Sequence, residues 1–570
     1  MGRVHRMSPA QISNRRDVDL AKKRESSWRL NSVLYTLYVI FVLGTAVYTN
    51  YAELELHRML ARLWMVVAGA FLLCPLLLQY LREKTWKYHR LGEGMNGWVF
   101  RGICFLCTMG VLVFYFLGVN PGGLDGDPVT QLRQALSGEY NDLHPVLHTL
   151  LVFTLPMKLT GGWAPSIVLC QIVLFSAAMT FVCETVRKYA DTLWAFLVLI
   201  LNLANAFNQG MLMFPFKDET FGICAAVLVC LNVRILFSKG EWLRKPIHLV
   251  LFAVMLTLTS IVRHNGILFA VFCALGAFLC VPWKRGFAMF GVAALLFLFV
   301  KWPLYALLKV EYPETRSNQI LGLPMSTLGG AVKYAPEKLD QETLDFAYAV
   351  APKELWESDY IWGDFTWVEW KSPTSAEVMT QAGATGMVHY MLKAFQQAPR
   401  ECLKALIRTT DVVYNIVPDK LPQGGVYINE YIHEVGPGLT YHGIPWIKDM
   451  MDQYRQISYT LFPHGFLHSG VSLLILMTLM LAKCPLNRKK SWLRIVPVLS
   501  VFAYNFGTMF MLTSWQDGAR FFHYTLWVLP ALTIILIHRE PNQGDDDLSG
   551  LHSDEPEILP EQTAEPVSGR

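Results

Sequence analysis

The sequence predicts an all-α integral membrane protein with about twelve transmembrane helices, juxtamembrane helices in the first outer loop and a mixed extracytoplasmic domain. Three observations lead there. Hydrophobic residues make up 53% of the 570 residues and charged residues 16%, with a mean hydropathy of +0.32, a balance foreign to soluble multidomain chains. Apolar runs long enough to cross a bilayer recur along the chain. The Lys and Arg residues of the short connections fall in every second connection, on one side of the membrane.

The N-terminus is polar and basic (Arg3, Arg6, Arg15, Arg16, Lys22, Lys23, Arg24) and lacks the short apolar core and small-residue cleavage site of a removable signal peptide. Apolar runs follow at roughly 32–49, 60–80, 102–119, 164–186, 192–207, 221–237, 246–262, 266–282, 286–308, 465–482, 493–513 and 521–538. Most approach the length of about 20 residues that spans a bilayer. With the N-terminus inside, the basic segments Arg82 to Arg90, Arg187-Lys188, Lys239 to Lys245, Lys284-Arg285 and Lys483 to Arg494 all alternate to the cytoplasmic side. The chain then divides into a basic cytoplasmic N-terminus (1–30), a transmembrane core (31–309) that includes the outer loop 120–160, an extracytoplasmic domain (310–463), C-terminal transmembrane helices (464–538) and an acidic cytoplasmic tail (539–570) that reads as disordered.

The first outer loop has its own grammar. Asp127-Pro128 reads as an N-cap followed by a helix-starting proline, and Gly138 as the stop. Val129, Leu132 and Leu136 share a face of the helix between them, suited to a membrane surface. Asp142 or His144, with Pro145, opens a second helix that sets His144 and His148 one turn apart. The run from Pro145 to Leu155 is too short to span. The other outer segments are 208–220, Arg263-His264-Asn265, about 310–463, and Ser514 to Arg520, so the unusual polar clusters gather on one face, at helix ends. A one-sided site is what an enzyme acting on a membrane-anchored substrate needs.

Other features read more plainly. Cys104 and Cys107 have CxxC spacing but lie in an oily run without polar neighbours, which points to helix packing rather than zinc or redox chemistry. The net charge of +4 gives no basic surface for nucleic acid. Trp356, Tyr360, Trp362, Phe365, Trp367 and Trp370 form either a small core or interfacial belt, or faces that stack on sugars, the former being the commoner use. The outer loops hold no Asn-x-Ser/Thr acceptor, which leans toward a bacterial plasma membrane.

Asp125-Gly-Asp127-Pro, a helix, and then His144-Pro145-Val-Leu-His-Thr-Leu-Leu resemble the first outer loop of the GT-C superfamily of membrane glycosyltransferases, in its protein O-mannosyltransferase and aminoarabinose-transferase branches. Phe216-Lys217-Asp218-Glu219-Thr220, Arg263-His264-Asn265-Gly266 and Arg520-Phe521-Phe522-His523-Tyr524 are similar to later motifs of uncharacterised bacterial members. The resemblance covers roughly residues 100–310 and the last helices, and rests on the order and shared side of the motifs. It implies transfer of a sugar from a polyprenyl-phosphate donor to a hydroxyl, amide or lipid acceptor on a lipid, glycan or protein outside the cytoplasm.

Such transfer needs a carboxylate for the acceptor, positive charge for the departing phosphate and a groove for the polyprenyl tail. The resemblance implies Asp127, then Asp125, as the carboxylate; the plain alternative for Asp127 is a helix cap. Arg263 and Arg520 are candidate phosphate clamps or snorkelling interfacial residues. Lys217 and Asp218 form a structural pair or serve the substrate, with His144 and Asn265 beside them. A divalent metal (Mg, Mn or Zn) at Asp127, Asp218 and His144, with Asp125 and His148 as further donors, is the minor expectation. The rival class is a transporter, flippase or polymerase; transporters place their binding groups near the bilayer midplane, whereas here Asn202 and Asn205 fall inside a helix but the acidic and basic clusters lie at outer boundaries.

Overall fold

The computed structural model describes residues 28–48, 56–83, 94–124, 126–312, 322–416, 440–461, 469–483, 496–512 and 520–538. Expectations for the basic N-terminus, Asp125 and the acidic tail lie outside these residues. Among the described residues the chain is helical and contains no strand, only two isolated bridges.

Helices stand at all twelve apolar runs. Six are long and apolar enough to cross a membrane: α1 (Trp28–Tyr48), α2 (Leu56–Glu83), α3 (Gly97–Val119), α6 (Ser166–Tyr189), α9 (Lys217–Phe237) and α12 (Trp283–Leu307). The other six, α7 (Thr192–Leu203), α10 (Pro246–Ile261), α11 (Gly266–Phe278), α20 (Ser469–Lys483), α21 (Val496–Thr508) and α22 (Tyr524–His538), are 12 to 16 residues long. At 1.5 Å per residue they fall short of a hydrocarbon core of about 30 Å. Among the described residues six candidate spans therefore stand, where about twelve were expected of the whole chain.

The spans differ in role. In α9 83% of the most apolar window is enclosed by protein, against 6% in α12. Gly222 lets α9 approach α22, since a Cβ there would lie 2.6 Å from the Trp527 ring. Below the head of α9, Phe221 stacks on Tyr504 with centroids 4.6 Å apart, and Phe269 and Tyr524 close the cluster edge-on.

The first-loop helices are α4 (Gly126–Ser137) and α5 (Val146–Leu159), the latter π-helical over Thr149–Thr154. Gly138, at φ +77°, ends α4 as expected. Val129 and Leu132 pack on Val152, Phe153, Met157 and Ile167, while Leu136 is exposed. Most of the apolar face of α4 thus covers α5 instead of lying open to a membrane surface. The short helix α8 (Ala206–Met211) leads into 212–216, whose Leu212 and Phe214 carbonyls both accept from Gln171 Nε2, at 2.9 and 2.8 Å. Gln171, fully buried in α6, supplies donors to a loop that has no ladder partner.

The 322–416 region, expected to be mixed, is helical: α13 (Gly322–Tyr334), α14 (Gln341–Val350), α15 (Lys353–Asp359), α16 (Thr366–Lys371), α17 (Ser375–Gln397) and α18 (Pro399–Tyr414). Its sequence is rich in Ala and has no sustained two-residue alternation. Trp356, Tyr360 and Phe365 are buried in its core. Trp362 lies between the Tyr334 ring at 3.9 Å and the Lys404 ammonium at 4.2 Å, so both its faces are occupied. Only Trp367 and Trp370 are well exposed, edge to face with one another. The amphipathic helix α19 (Pro445–Leu461) packs across α3, where the Tyr441 hydroxyl donates to the Gly118 carbonyl. Cys104 is buried in the bundle and Cys107 faces outward, both as free thiols, in keeping with packing.

One polar clasp ties the first loop to α12. The buried Asp142 carboxylate accepts from Lys301 Nζ at 3.2 Å and from the Tyr305 hydroxyl at 2.7 Å, and its backbone N–H donates to the Glu311 carbonyl. Asp142→Asn removes the carboxylate that Lys301 and Tyr305 both meet. With Lys301 partly solvated, we expect a loss of about 2 kcal/mol, read as a lowered thermal midpoint of the detergent-solubilised protein.

Candidate functional site

The head of α9 brings the separated polar motifs together. Lys217, its first residue, donates from Nζ to Asp127 Oδ2 at 2.7 Å and to His144 Nδ1 at 3.0 Å. Arg520 Nη1 lies 3.6 Å from the same Asp127 oxygen, and Arg520 Nε 3.9 Å from Asp218 Oδ2. Asp218 pairs with Arg263 at 2.8 Å. Arg263 donates from Nη1 to the Tyr504 hydroxyl at 2.7 Å and lies 4.1 Å over the Phe521 ring. Tyr504 donates to Asn265 Oδ1 at 3.4 Å, and Asn265 Nδ2 donates to Thr508 at 3.3 Å. Asp127, His144, Lys217, Asp218, Arg263, Asn265 and Arg520 thus form one connected cluster.

Local structure explains the convergence. Asp218 and Glu219 sit in the first turn of α9, where the helix dipole favours acids. Gly266 permits the tight turn between α10 and α11 that aims Arg263, because a Cβ there would fall 2.0 Å from the Thr259 carbonyl oxygen. Asp127 is a first-turn residue of α4 rather than the residue before it, and its carboxylate is directed at Lys217.

The cluster has a sealed half and an open half. The Asp218 and Arg263 side chains are 0% and 5% exposed; Asp127, Lys217 and Arg520 are 24%, 16% and 22% exposed. Arg263, expected as a phosphate clamp, is a buried strut between Asp218 and Tyr504. The cations that reach the open side are Lys217 and Arg520.

Burial alone would raise the Asp127 carboxyl, but the Lys217, His144 and Arg520 charges outweigh it and hold it well below the usual carboxylate range. Burial, reinforced by the Lys217 ammonium, pushes His144 down to about 4. Because an ammonium can only donate, His144 Nδ1 accepts and the ring proton is assigned to Nε2, 3.9 Å from Asp127 Oδ1.

The two histidines do not pair on one face as expected. Pro145 caps α5 and leaves His144 outside it. His148 is buried between Gln131 Nε2 at 2.8 Å and the Thr220 hydroxyl at 3.0 Å, where it ties α4 and α5 to α9. No three His, Cys, Asp or Glu side chains group as metal ligands among the described residues. Between Asp127 and His144 the ammonium of Lys217 takes the central place.

A second buried network lies beside the cluster, and sequence reasoning gave it no role. His523 Nδ1 is 2.9 Å from both Glu219 oxygens, and His523 Nε2 is 2.7 Å from Asn208 Oδ1, which also accepts from Trp527 Nε1 at 3.3 Å. The indole donor fixes that atom as the amide oxygen, so Nε2 carries a proton. This pair joins the segment carrying Arg520 to the head of α9. Glu219 and His523 were quoted only as motif members; their spacing to Lys217 and Arg520, two and three residues, was the available signal. Tyr504 and Thr508, four residues apart in an apolar run, were missed as well.

The chain matches no protein-family model, no curated protein and no solved structure.

Asp218→Asn leaves the sealed Arg263 unpaired and should cost about 3 kcal/mol; Asp127→Asn, on the solvated side, should cost under about 1 kcal/mol. Thermal unfolding in detergent separates the two. For pH, burial holds His144 below its ordinary 6.5, so opening of the loop takes up a proton between pH 6.5 and about 4. Stability should fall as pH drops through that window, by at most about 1.4 kcal/mol per unit, and His144→Gln should remove that part of the decline in the thermal midpoint.

Proposed function

We propose that the protein is a GT-C type membrane glycosyltransferase that moves a sugar from a polyprenyl-phosphate donor to an acceptor on the extracytoplasmic face of a bacterial plasma membrane. About twelve crossings, with both termini cytoplasmic, complete this reading. The observation that carries it is the open half of the cluster: one carboxylate and two cations, from three distant stretches, at the head of the most enclosed apolar helix.

In this reading Lys217 and Arg520 hold the donor's phosphate, arginine as a fork and lysine as a point charge. The acceptor hydroxyl attacks the anomeric carbon, its oxygen forms the new glycosidic bond, and the bond from that carbon to the phosphate oxygen breaks. Polyprenyl phosphate leaves with the electron pair, its charge met by Lys217 and Arg520. The hydroxyl proton goes to Asp127. The charged groups stand at helix starts and in loops rather than at breaks in the middle of spans, which favours transfer over transport.

Asp127→Asn, with membrane insertion verified, should lower transfer at least about a hundredfold and leave polyprenyl-phosphate sugar accumulated in lipid extracts analysed by mass spectrometry. Undiminished transfer by that variant would remove Asp127 as the proton acceptor.

A further inference from the structure

Held by its two cations, Asp127 is poorly suited to take a proton. Lys217 Nζ, at 2.7 Å, and Arg520 Nη1, at 3.6 Å, converge on one of its oxygens, Oδ2. A carboxylate so neutralised has little drive to accept a proton. The same two side chains are the cations of the cluster that reach solvent, since Arg263 is sealed against Asp218 and Tyr504. We propose that Asp127 and the phosphate of the lipid donor compete for Lys217 and Arg520, so that Asp127 latches these cations and the arriving donor releases it as the proton acceptor. This rests on the transferase reading above and adds an order to it, donor before acceptor.

Three features of the geometry carry the latch. Lysine has three N–H donors, and Lys217 commits two, to Asp127 and to His144. His144 therefore keeps hold of Lys217 when Asp127 lets go, and the ammonium turns without leaving the site. Among the described residues Lys217 and Arg520 are the partly solvated cations of the cluster, and a sugar phosphodiester brings one negative charge that both can meet. Last, Arg520 lies between the two acids, 3.6 Å from Asp127 and 3.9 Å from Asp218. The Asp218 contact holds Arg520 near the cluster as a phosphate draws it from Asp127. Once both cations face the phosphate, Asp127 remains in a largely buried place with less opposing charge, and its affinity for a proton rises.

The sign of the test is unusual: removing the proposed proton acceptor should strengthen binding of the lipid phosphate. The full chain in lipid nanodiscs is titrated with undecaprenyl monophosphate and, separately, with undecaprenol, which lacks the phosphate. Asp127→Asn is expected to tighten monophosphate binding roughly tenfold, the scale of one charge-assisted hydrogen bond set free. Lys217→Gln is expected to weaken it by a similar factor, and in that background Asp127→Asn should tighten it by less than about threefold. Undecaprenol binding should shift in none of them. Asp127→Ser serves as a second test of the acid, and each variant's thermal midpoint is measured alongside. Unchanged or weaker monophosphate binding by both Asp127 variants overturns the latch while leaving the donor assignment standing. Equal tightening with and without Lys217 also overturns it, because a general change of charge would then explain the gain. If the unaltered protein binds monophosphate no better than undecaprenol, the donor assignment itself fails, and the latch with it.

Discussion

The structure depends on the ion pairing at the head of α9. Two acids and three cations from four distant stretches meet within hydrogen-bond or near-contact distance there. In low dielectric an unmatched charge costs several kcal/mol, so the sealed Asp218 and Arg263 need one another most, and the partly solvated Asp127, Lys217 and Arg520 less. That mutual need fixes where α4, the α10–α11 turn and the segment leading into α22 stand relative to α9. The aromatic cluster of Phe221, Phe269, Tyr504 and Tyr524 beneath it holds the Tyr504 hydroxyl against Arg263. Packing and charge therefore specify the same arrangement.

The cluster divides its labour by depth. Asp218 and Arg263 are sealed and act as a brace, and Glu219 with His523 adds a second brace across the same junction. Asp127, Lys217 and Arg520 face the open side. A chemical site needs this combination, since groups that meet a substrate must exchange partners while their supports stay put.

Much of this was legible in the sequence because charged residues are scarce in an oily chain. Asp127, Lys217, Asp218, Arg263 and Arg520 stood out for that reason, and the positions of the apolar runs gave the positions of the helices. What stayed hidden was depth and partner choice. Arg263 and Arg520 look alike at helix ends, yet one is sealed and the other partly open, which depends on Tyr504 and Phe521 reaching in from elsewhere. His144 and His148 share a spacing, but Pro145 starts the helix between them and sends them to different partners. The density of tryptophan in the 322–416 region could not separate core from surface. Trp356 is buried there and Trp370 exposed only because of how α15 and α16 pack. The number of spans was not settled by the apolar runs either, since the runs 192–207 and 266–282 carry continuous helices only over Thr192–Leu203 and Gly266–Phe278.

Gln171 has a consequence of another kind. The loop that delivers Lys217 draws part of its shape from a side-chain amide 41 and 43 residues away, which binds its carbonyls and ignores its side chains. Intolerance to amino-acid change should therefore extend beyond the loop itself. Its Leu212, Met213, Phe214 and Phe216 are buried, and a glutamine in the middle of a greasy helix, far from any reacting atom, becomes hard to replace alongside them. A survey of natural variation that ranked positions by invariance alone would mistake such a scaffold residue for part of the chemistry.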